Sequence, residues 1–289
     1  MTQILINKQI EQKLLFQFLS DLEDHHKDLL SASNADAQGQ KHLLLLVNFL
    51  KEAYATTNSR LLALLKNGEI TYDLLWALFK PSTPVFTICS GSQQPRCVEY
   101  VSGEEQKTLQ GQRYFHLECR YFDYNGTVFG EAMTQLGIAQ FRGVRRIDSL
   151  ESFPFKYHPS KTEMTQQLLA CGQKFCSLLG THHRKYQGVA FYMDKGKPVQ
   201  IPVKSRIMVD AGIFRELHPN YSRPRVYKPS HTEVDLSDLG KSVDHVNESE
   251  IGPREMQDQD LLICSPTIPG WILSDKTWGE TSGRFLDYY

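Results

Sequence analysis

From Tyr114 to Tyr124 the side chains alternate, with Phe115, Leu117, Cys119 and Tyr121 on one side and Tyr114, His116, Glu118 and Arg120 on the other. A period of two over that length describes a half-buried β-strand, because successive side chains leave a strand on opposite faces. Asn125-Gly126 follows at once, and Thr127-Val128-Phe129 reads as the returning strand. That dipeptide suits a two-residue turn with positive φ at both central positions. A hairpin in the middle of the chain commits this region to an antiparallel sheet.

The preceding segment has a different period. Ile10, Leu14, Leu15, Phe18, Leu19 and Leu22 recur at the three-and-four spacing of one helical face. The polar stretch Ser31 to Gln40, with Gly39, interrupts it, and Leu46, Val47, Leu50, Tyr54, Leu61, Leu62 and Leu65 resume it between Leu43 and Leu65. Two helices with a short connection predict a hairpin. Asn67-Gly68 closes the second helix, Thr71 caps a short helix over Tyr72 to Phe79, and Pro81 stops it. Strands are expected at Val85 to Ile88, Val98 to Val101 and Ile138 to Phe141, with a helix from Glu163 to Leu179 ended by Gly180. A second hairpin is expected from Val189 to Met193 and Val199 to Val209 across Asp194-Lys195-Gly196-Lys197, and a last docking strand at Leu261 to Cys264.

The fold class expected is therefore α+β: an N-terminal helical hairpin packed on a mainly antiparallel twisted sheet with one embedded helix. The expected division is a helical region over 1–80, an antiparallel α+β domain over 81–232, an acidic flexible linker over 233–260, and a docking strand with C-terminal tail over 261–289. The linker reading rests on nine acids against Lys241 and Arg254 between Glu233 and Asp260. Such a segment buries too little to offset its ordering entropy.

With 289 residues, 40% of them hydrophobic, the chain is long enough for a packed core. Its longest greasy run, Leu43 to Val47, falls far short of the roughly 20 residues that span a bilayer. No membrane association is expected, and the compartment expected is intracellular, cytoplasmic or nuclear. Cys89, Cys97, Cys119, Cys171, Cys176 and Cys264 are dispersed without a Cys-x-x-Cys pair, which predicts reduced thiols and neither a zinc knuckle nor a redox dithiol.

The net charge of −1 hides an asymmetry: residues 141–230 carry 16 lysines and arginines against 6 acids, leaving 16 against 27 for the rest. Arg142, Arg145 and Arg146 flank Gly143, whose missing side chain suits the close approach of a backbone or an anion. Arg184, Lys185, Lys204 and Arg206 lie on elements able to adjoin them, and Phe141, Tyr157, Tyr186 and Tyr192 are interleaved. Those seven cations are the candidate anion- or partner-binding residues, against the plainer reading of a solvated basic face with internal ion pairs. The acidic linker is expected to fold back over this region part of the time.

Other chemistry finds little support. His25-His26 and His182-His183 are adjacent pairs, which do not converge on a helix, and His158 before Pro159 reads as a turn residue. Ser90-Gly91-Ser92 lacks the glycine framing of a nucleophile elbow. Asp123 reads as a hairpin shoulder and Asp210 as a helix cap or arginine partner, with Glu131 a further dispersed acid. No catalytic residue, metal site or cofactor is expected.

Several strings carry a family resemblance: Leu75-Trp76-Ala77-Leu78-Phe79-Lys80-Pro81, the turn Asp123 to Gly126, Ser149 to Pro154, Arg206-Ile207-Met208-Val209-Asp210, and Pro266-Thr267-Ile268-Pro269-Gly270-Trp271. Over about Thr71 to Trp278 the chain resembles the uncharacterised N-terminal domain that precedes the ATPase core in fungal AAA-type ATPases. The resemblance implies a noncatalytic recognition or adaptor role toward another protein. The Gly-Lys-Ser/Thr string of a phosphate-binding loop does not occur in these residues, so no nucleotide-binding residue carries over. Alternative readings are a truncated or remnant AAA-type ATPase, a phosphate-ligand or nucleic-acid binder, and an enzyme with a site assembled from scattered residues.

Overall fold

A computed structural model describes residues 12–31, 37–221, 226–227, 256–282 and 286–287. The first part is helical: α1 (Gln12–Gln17), α2 (Leu19–Ser31), α3 (Ala37–Ala53) and α4 (Ala55–Lys66). α2 and α3 form the expected antiparallel hairpin. Gln40 Nε2 donates to the Leu29 carbonyl at 2.8 Å near one end, and Lys51 pairs with Glu23 at 2.8 Å toward the other. Each long helix read from periodicity is two: the first breaks at Phe18, the second at Tyr54. The Phe16 ring meets Tyr54 at 4.7 Å and Trp76 at 5.6 Å, an aromatic trio tying three helical segments together.

After Gly68, at φ +69°, come β1 (Glu69–Thr71), a 3-10 turn at Tyr72–Leu74 and α5 (Leu75–Leu78), close to the expected short helix. The chain then builds β2 (Pro84–Ile88), β3 (Pro95–Lys107), β4 (Arg113–Tyr124) and β5 (Phe129–Ala139). β4 alternates as predicted: Phe115, Leu117, Cys119 and Tyr121 are buried. β6 (Val144–Arg146) returns to pair with β1, and β7 (Ser152–Pro154) edges β2. With β10 (Val226–Tyr227) at its other edge, the first large sheet has the order β10-β5-β4-β3-β2-β7.

α6 (Lys161–Cys176) is the embedded helix; it ends at Cys176, and turns carry the chain to Gly180 at φ +91°. Beyond it lies a second large sheet, where the sequence reading expected only one. β8 (His182–Asp194) pairs with β9 (Lys197–Val209), β9 with β11 (Thr267–Ile272), and β11 with β12 (Thr277–Ser282). β12 returns to β8 through Glu280↔Phe191 and Thr281↔Ala190, so these four strands close on themselves. Tyr186, Ala190, Val203, Ile207, Ile268, Ile272 and Thr281 share the inward face by register and are buried. β13 (Leu286–Asp287) adds to β8, and α7 (Ala211–Leu217) follows β9.

Every pairing between these strands is antiparallel, so the fold is α+β with several antiparallel sheets. One buried cluster holds Phe16 and Leu61 from the helices, Val98 and Leu117 from the first sheet, and Val203 and Ile268 from the second.

Two local expectations are corrected. Leu261 to Cys264 is not a strand: α8 (Asp258–Leu262) runs into it, and only Cys264 bridges, in parallel, to Phe122. The Gln257 and Asp260 side chains form a capping box, which favours a helical turn over an extended run. The Asn125-Gly126 turn is also not a two-residue one, because pairing ends at Tyr124↔Phe129 and leaves a four-residue loop. Asn125 Oδ1 accepts from the backbone N–H of Thr127 at 2.9 Å and of Val128 at 2.7 Å, and only Gly126 has positive φ, +99°. That side-chain acceptor closes the loop locally. Of the expected acidic linker, residues 233–255 lie outside the described residues.

Candidate functional site

The seven candidate cations divide between two sheets. Arg142, Arg145 and Arg146 belong to the small β1–β6 ribbon and the loop leading into it, and their environments differ. Arg146 forks onto Asp148, with Nη2 to Oδ2 at 2.6 Å and Nε to Oδ1 at 3.0 Å. That hydrogen bond holds the Asp148 carboxyl below its usual range and raises the Arg146 guanidinium. Arg145 lies 4.7 Å from the centre of the Phe141 ring, and Arg142 is exposed. Gly143 sits at φ +72°, and a Cβ added there would meet nothing within 4 Å, so backbone conformation, and not close approach, accounts for the glycine.

Arg184, Lys185, Lys204 and Arg206 lie on the β8–β9 hairpin. Arg184 is half-buried on the inward face, with Nη1 donating to the His183 carbonyl at 2.9 Å and Nη2 3.1 Å from His182 Nδ1. The other three share the opposite, exposed face. Lys185 stands directly across from Arg206, and Lys204 across from Gln187. One row along, His183 lies across from Met208, which faces Trp271 on β11. Trp271 in turn meets Trp278 at 5.7 Å, and Phe214 of α7 packs on Trp278 at 5.4 Å. The outer face of the closed sheet thus has an aromatic end under α7 and a cationic end in solvent. Asp287 of β13 occupies the register position across from Lys185 on its other side.

A cation on the first sheet is handled differently. Arg120 lies between Glu99 and Glu131, at 2.7 Å and 3.0 Å, all three side chains less than a quarter exposed. Glu131, one of the dispersed acids, is therefore a structural partner of an arginine. Asp210 caps α7: its carboxylate accepts from the Ile213 N–H at 2.8 Å and the Thr181 hydroxyl at 2.6 Å. Asp123 is buried at the end of β4 and accepts from the Tyr124 N–H at 2.9 Å. His158 packs among Phe86, Phe153 and Phe155 and accepts from the Ser160 N–H at 3.2 Å, as a turn residue does. Among the described residues no group of three His, Cys, Asp or Glu side chains is placed to hold a metal, and no helix is long and apolar enough to cross a membrane.

Two features escaped the sequence reading. One is a cavity of about 500 Å3 between α1 and β3, with Tyr72, Trp76, Tyr100 and Phe115 as aromatic walls and Glu104 and Glu105 beside them. An extra residue in β3, between Tyr100↔Cys119 and Ser102↔Glu118, opens this side of the sheet. Lys13 reaches in, 5.5 Å from the Trp76 ring centre. The buried Tyr72 hydroxyl has no hydrogen-bond partner among the described residues, and burial pushes its pKa to about 12. The aromatic residues carry an apolar pattern that reads simply as core. The other feature is the close approach of α6 to α8, where a Cβ built on Gly172 would fall 2.2 Å from the Leu261 carbonyl oxygen.

Residues 60–159 match a family described as a domain of unknown function (DUF7025). The match runs from within α4 through β7 and ends before α6, so it covers the first large sheet except β10 and none of the closed one. No curated protein and no solved structure matches the chain.

Proposed function

We propose that this chain is a noncatalytic recognition module, the counterpart of the domain preceding the ATPase core in fungal AAA-type ATPases, and that it engages an acidic segment of a partner protein on the outer face of β8–β9. The observation that carries this reading is the placement of Lys185 directly across from Arg206, with Lys204 next along β9, on an exposed face. Like charges directly opposite on neighbouring strands oppose pairing. A partner's carboxylates offset that repulsion, and exposed cations steer such a partner on approach. Exposed apolar side chains on the helical hairpin, Leu45 and Phe49 one turn apart on α3, add surface suited to a protein partner.

The test is fluorescence anisotropy with a labelled glutamate-rich peptide, and in parallel with a single-stranded oligonucleotide, at low and moderate salt. Arg206→Glu with Lys204→Glu is expected to weaken peptide binding about 10-fold or more, about 1.4 kcal/mol. Loss on reversing Arg142 and Arg145 instead would move the site to the β1–β6 ribbon. Preference for the oligonucleotide would replace the protein partner by a nucleic acid. Titration with a fluorescent ATP analogue checks the noncatalytic part, and no saturable binding is expected.

A further inference from the structure

We propose that the cavity between α1 and β3 is an aromatic cage for a methylated ammonium group, with Lys13 of this chain as its internal competitor. The walls come from the helical part and from the first sheet. Tyr72 and Trp76 stand four residues apart, in the 3-10 turn and in α5, and both are half-buried. Tyr100 of β3 and Phe115 of β4 line the cavity more deeply and are buried. Gly103 makes room for them: a Cβ there would lie 2.9 Å from the Tyr100 hydroxyl oxygen and 3.2 Å from Phe115 Cε1.

The register of β3 keeps this side of the sheet open. Past the extra residue, Gly103 lies across from the buried Leu117 and Glu105 across from the buried Phe115. Partners directly opposite share a face. The inner face of β3 therefore presents a glycine and then a carboxylate, where a strand that seals a core carries apolar side chains.

Such walls favour a cation. Aromatic ring faces carry negative charge density, and an ammonium within about 6 Å of a ring centre is attracted to it. Lys13 displays that attraction within the chain: its Nζ lies 5.5 Å from the Trp76 centre, and among the described residues it forms no ion pair with a carboxylate. Glu105 pairs with Arg113 at 3.2 Å and Asp73 with Arg60 at 3.1 Å, all four side chains about half exposed. Exposed pairs are weak, so either carboxylate can turn to a ligand's charge at little cost.

A methylated ammonium suits the cage better than the lysine it displaces. Each methyl group replaces an N–H that water would solvate, so the charge enters with less desolvation and gains apolar contact with the rings. The volume, about 500 Å3, accommodates the group together with the chain that carries it. The residues involved are none of those on β8–β9, so the recognition role proposed above stands or falls separately.

The experiment is isothermal titration calorimetry of the full chain with choline, with its uncharged tert-butyl analogue, and with a peptide carrying one trimethyllysine or the same lysine unmodified. Saturable binding of choline or the trimethyllysine peptide is expected, with the uncharged analogue and the unmodified peptide about 10-fold weaker. Tighter binding of the peptide assigns the group to a modified protein, and tighter binding of choline to a free small molecule; both support the cage. Trp76→Ala is expected to abolish binding. Because Trp76 also packs on Phe16 and Tyr54, two exposed positions decide the matter should that variant fail to fold. Lys13→Gln is expected to strengthen binding of the methylated probe about 3-fold, and Glu105→Gln to weaken it about 3-fold. Equal binding of choline and its uncharged analogue, no binding of either methylated probe, or an affinity unchanged in Lys13→Gln would each overturn the proposal.

Discussion

Two long antiparallel hairpins, β4–β5 and β8–β9, share one topology and are held in opposite ways. The loop of the first, Asn125 to Val128, rests on α7: a Cβ at Gly126 would lie 2.2 Å from Gly212 Cα. The turn of the second is Lys195-Gly196 at φ +48° and +77°, between paired Asp194 and Lys197, with nothing within 4 Å of a Cβ at Gly196. Local backbone chemistry alone fixes the second turn, whereas in the first the Asn125 side-chain acceptor and the contact with α7 act together. Their charges follow the same division. Arg120 of the first hairpin is matched by Glu99 and Glu131, whereas the second sets Lys185 across from Arg206. The first hairpin thus encloses its cation between two acids, whereas Lys185 has Arg206 across from it on one side and the register position of Asp287 on the other.

The sharpest way to break this comparison is at the two glycines. Gly126→Val adds a collision with backbone to the cost of positive φ and is expected to destabilise by about 3 kcal/mol or more. Gly196→Val meets only the conformational cost, about 1 kcal/mol. Urea unfolding midpoints of the two variants measure the difference. Equal shifts would mean that the β4–β5 loop does not rest on α7.

Arg120→Ala tests the matched charges with the next largest effect. Glu99 and Glu131, at 19% and 16% exposed, would lose the cation between them. A fully buried pair broken this way costs several kcal/mol, and partial exposure reduces that to about 2 kcal/mol. The companion change Glu99→Gln with Glu131→Gln removes both partners' charge. If urea melts of Arg120→Ala stay within error of the wild type, the network is merely a solvated surface cluster.

Periodicity made much of this fold legible and stopped where partners are chosen. The alternation of β4 named its buried side chains, and Asp194 to Lys197 named a turn, because both depend on local geometry. Asn125-Gly126 misled because the same dipeptide also serves a four-residue loop in which the Asn125 side chain accepts two of the closing hydrogen bonds. The breaks at Phe18 and Tyr54 were hidden, since an apolar stripe records what is buried and not which neighbour buries it; here Trp76 draws in the rings of Phe16 and Tyr54. Leu261 to Cys264 is apolar enough for a strand but too short for its period to decide, and the capping box settles it as helix. The closed sheet, the separation of the seven cations and the close approach of α6 to α8 all depend on pairings between distant segments. Composition located the basic region, and only the register of β8 against β9 distinguishes Lys185, Lys204 and Arg206 from the inward-facing Arg184.

The smallest expected effect separates stability from function in the second hairpin. Arg206→Glu replaces two opposed cations by an opposite-charge pair with Lys185, on an exposed face where such a pair is worth only a few tenths of a kcal/mol. Position 206 has Leu273 beside it on the other flank, whose N–H donates to the Arg206 carbonyl at 3.1 Å, so the residue directly alongside on that strand is apolar. Stability is therefore expected to rise by about 0.5 kcal/mol, more at low salt than at high, because exposed charges are screened. Binding of the glutamate-rich peptide is expected to fall in the same variant. Opposite signs in the two measurements are what a binding surface produces when its residues are retained at a cost to the fold. If Arg206→Glu lowers the unfolding midpoint, the Arg206 side chain supports the sheet by packing or pairing, and the contrast between the hairpins fails at its charged end.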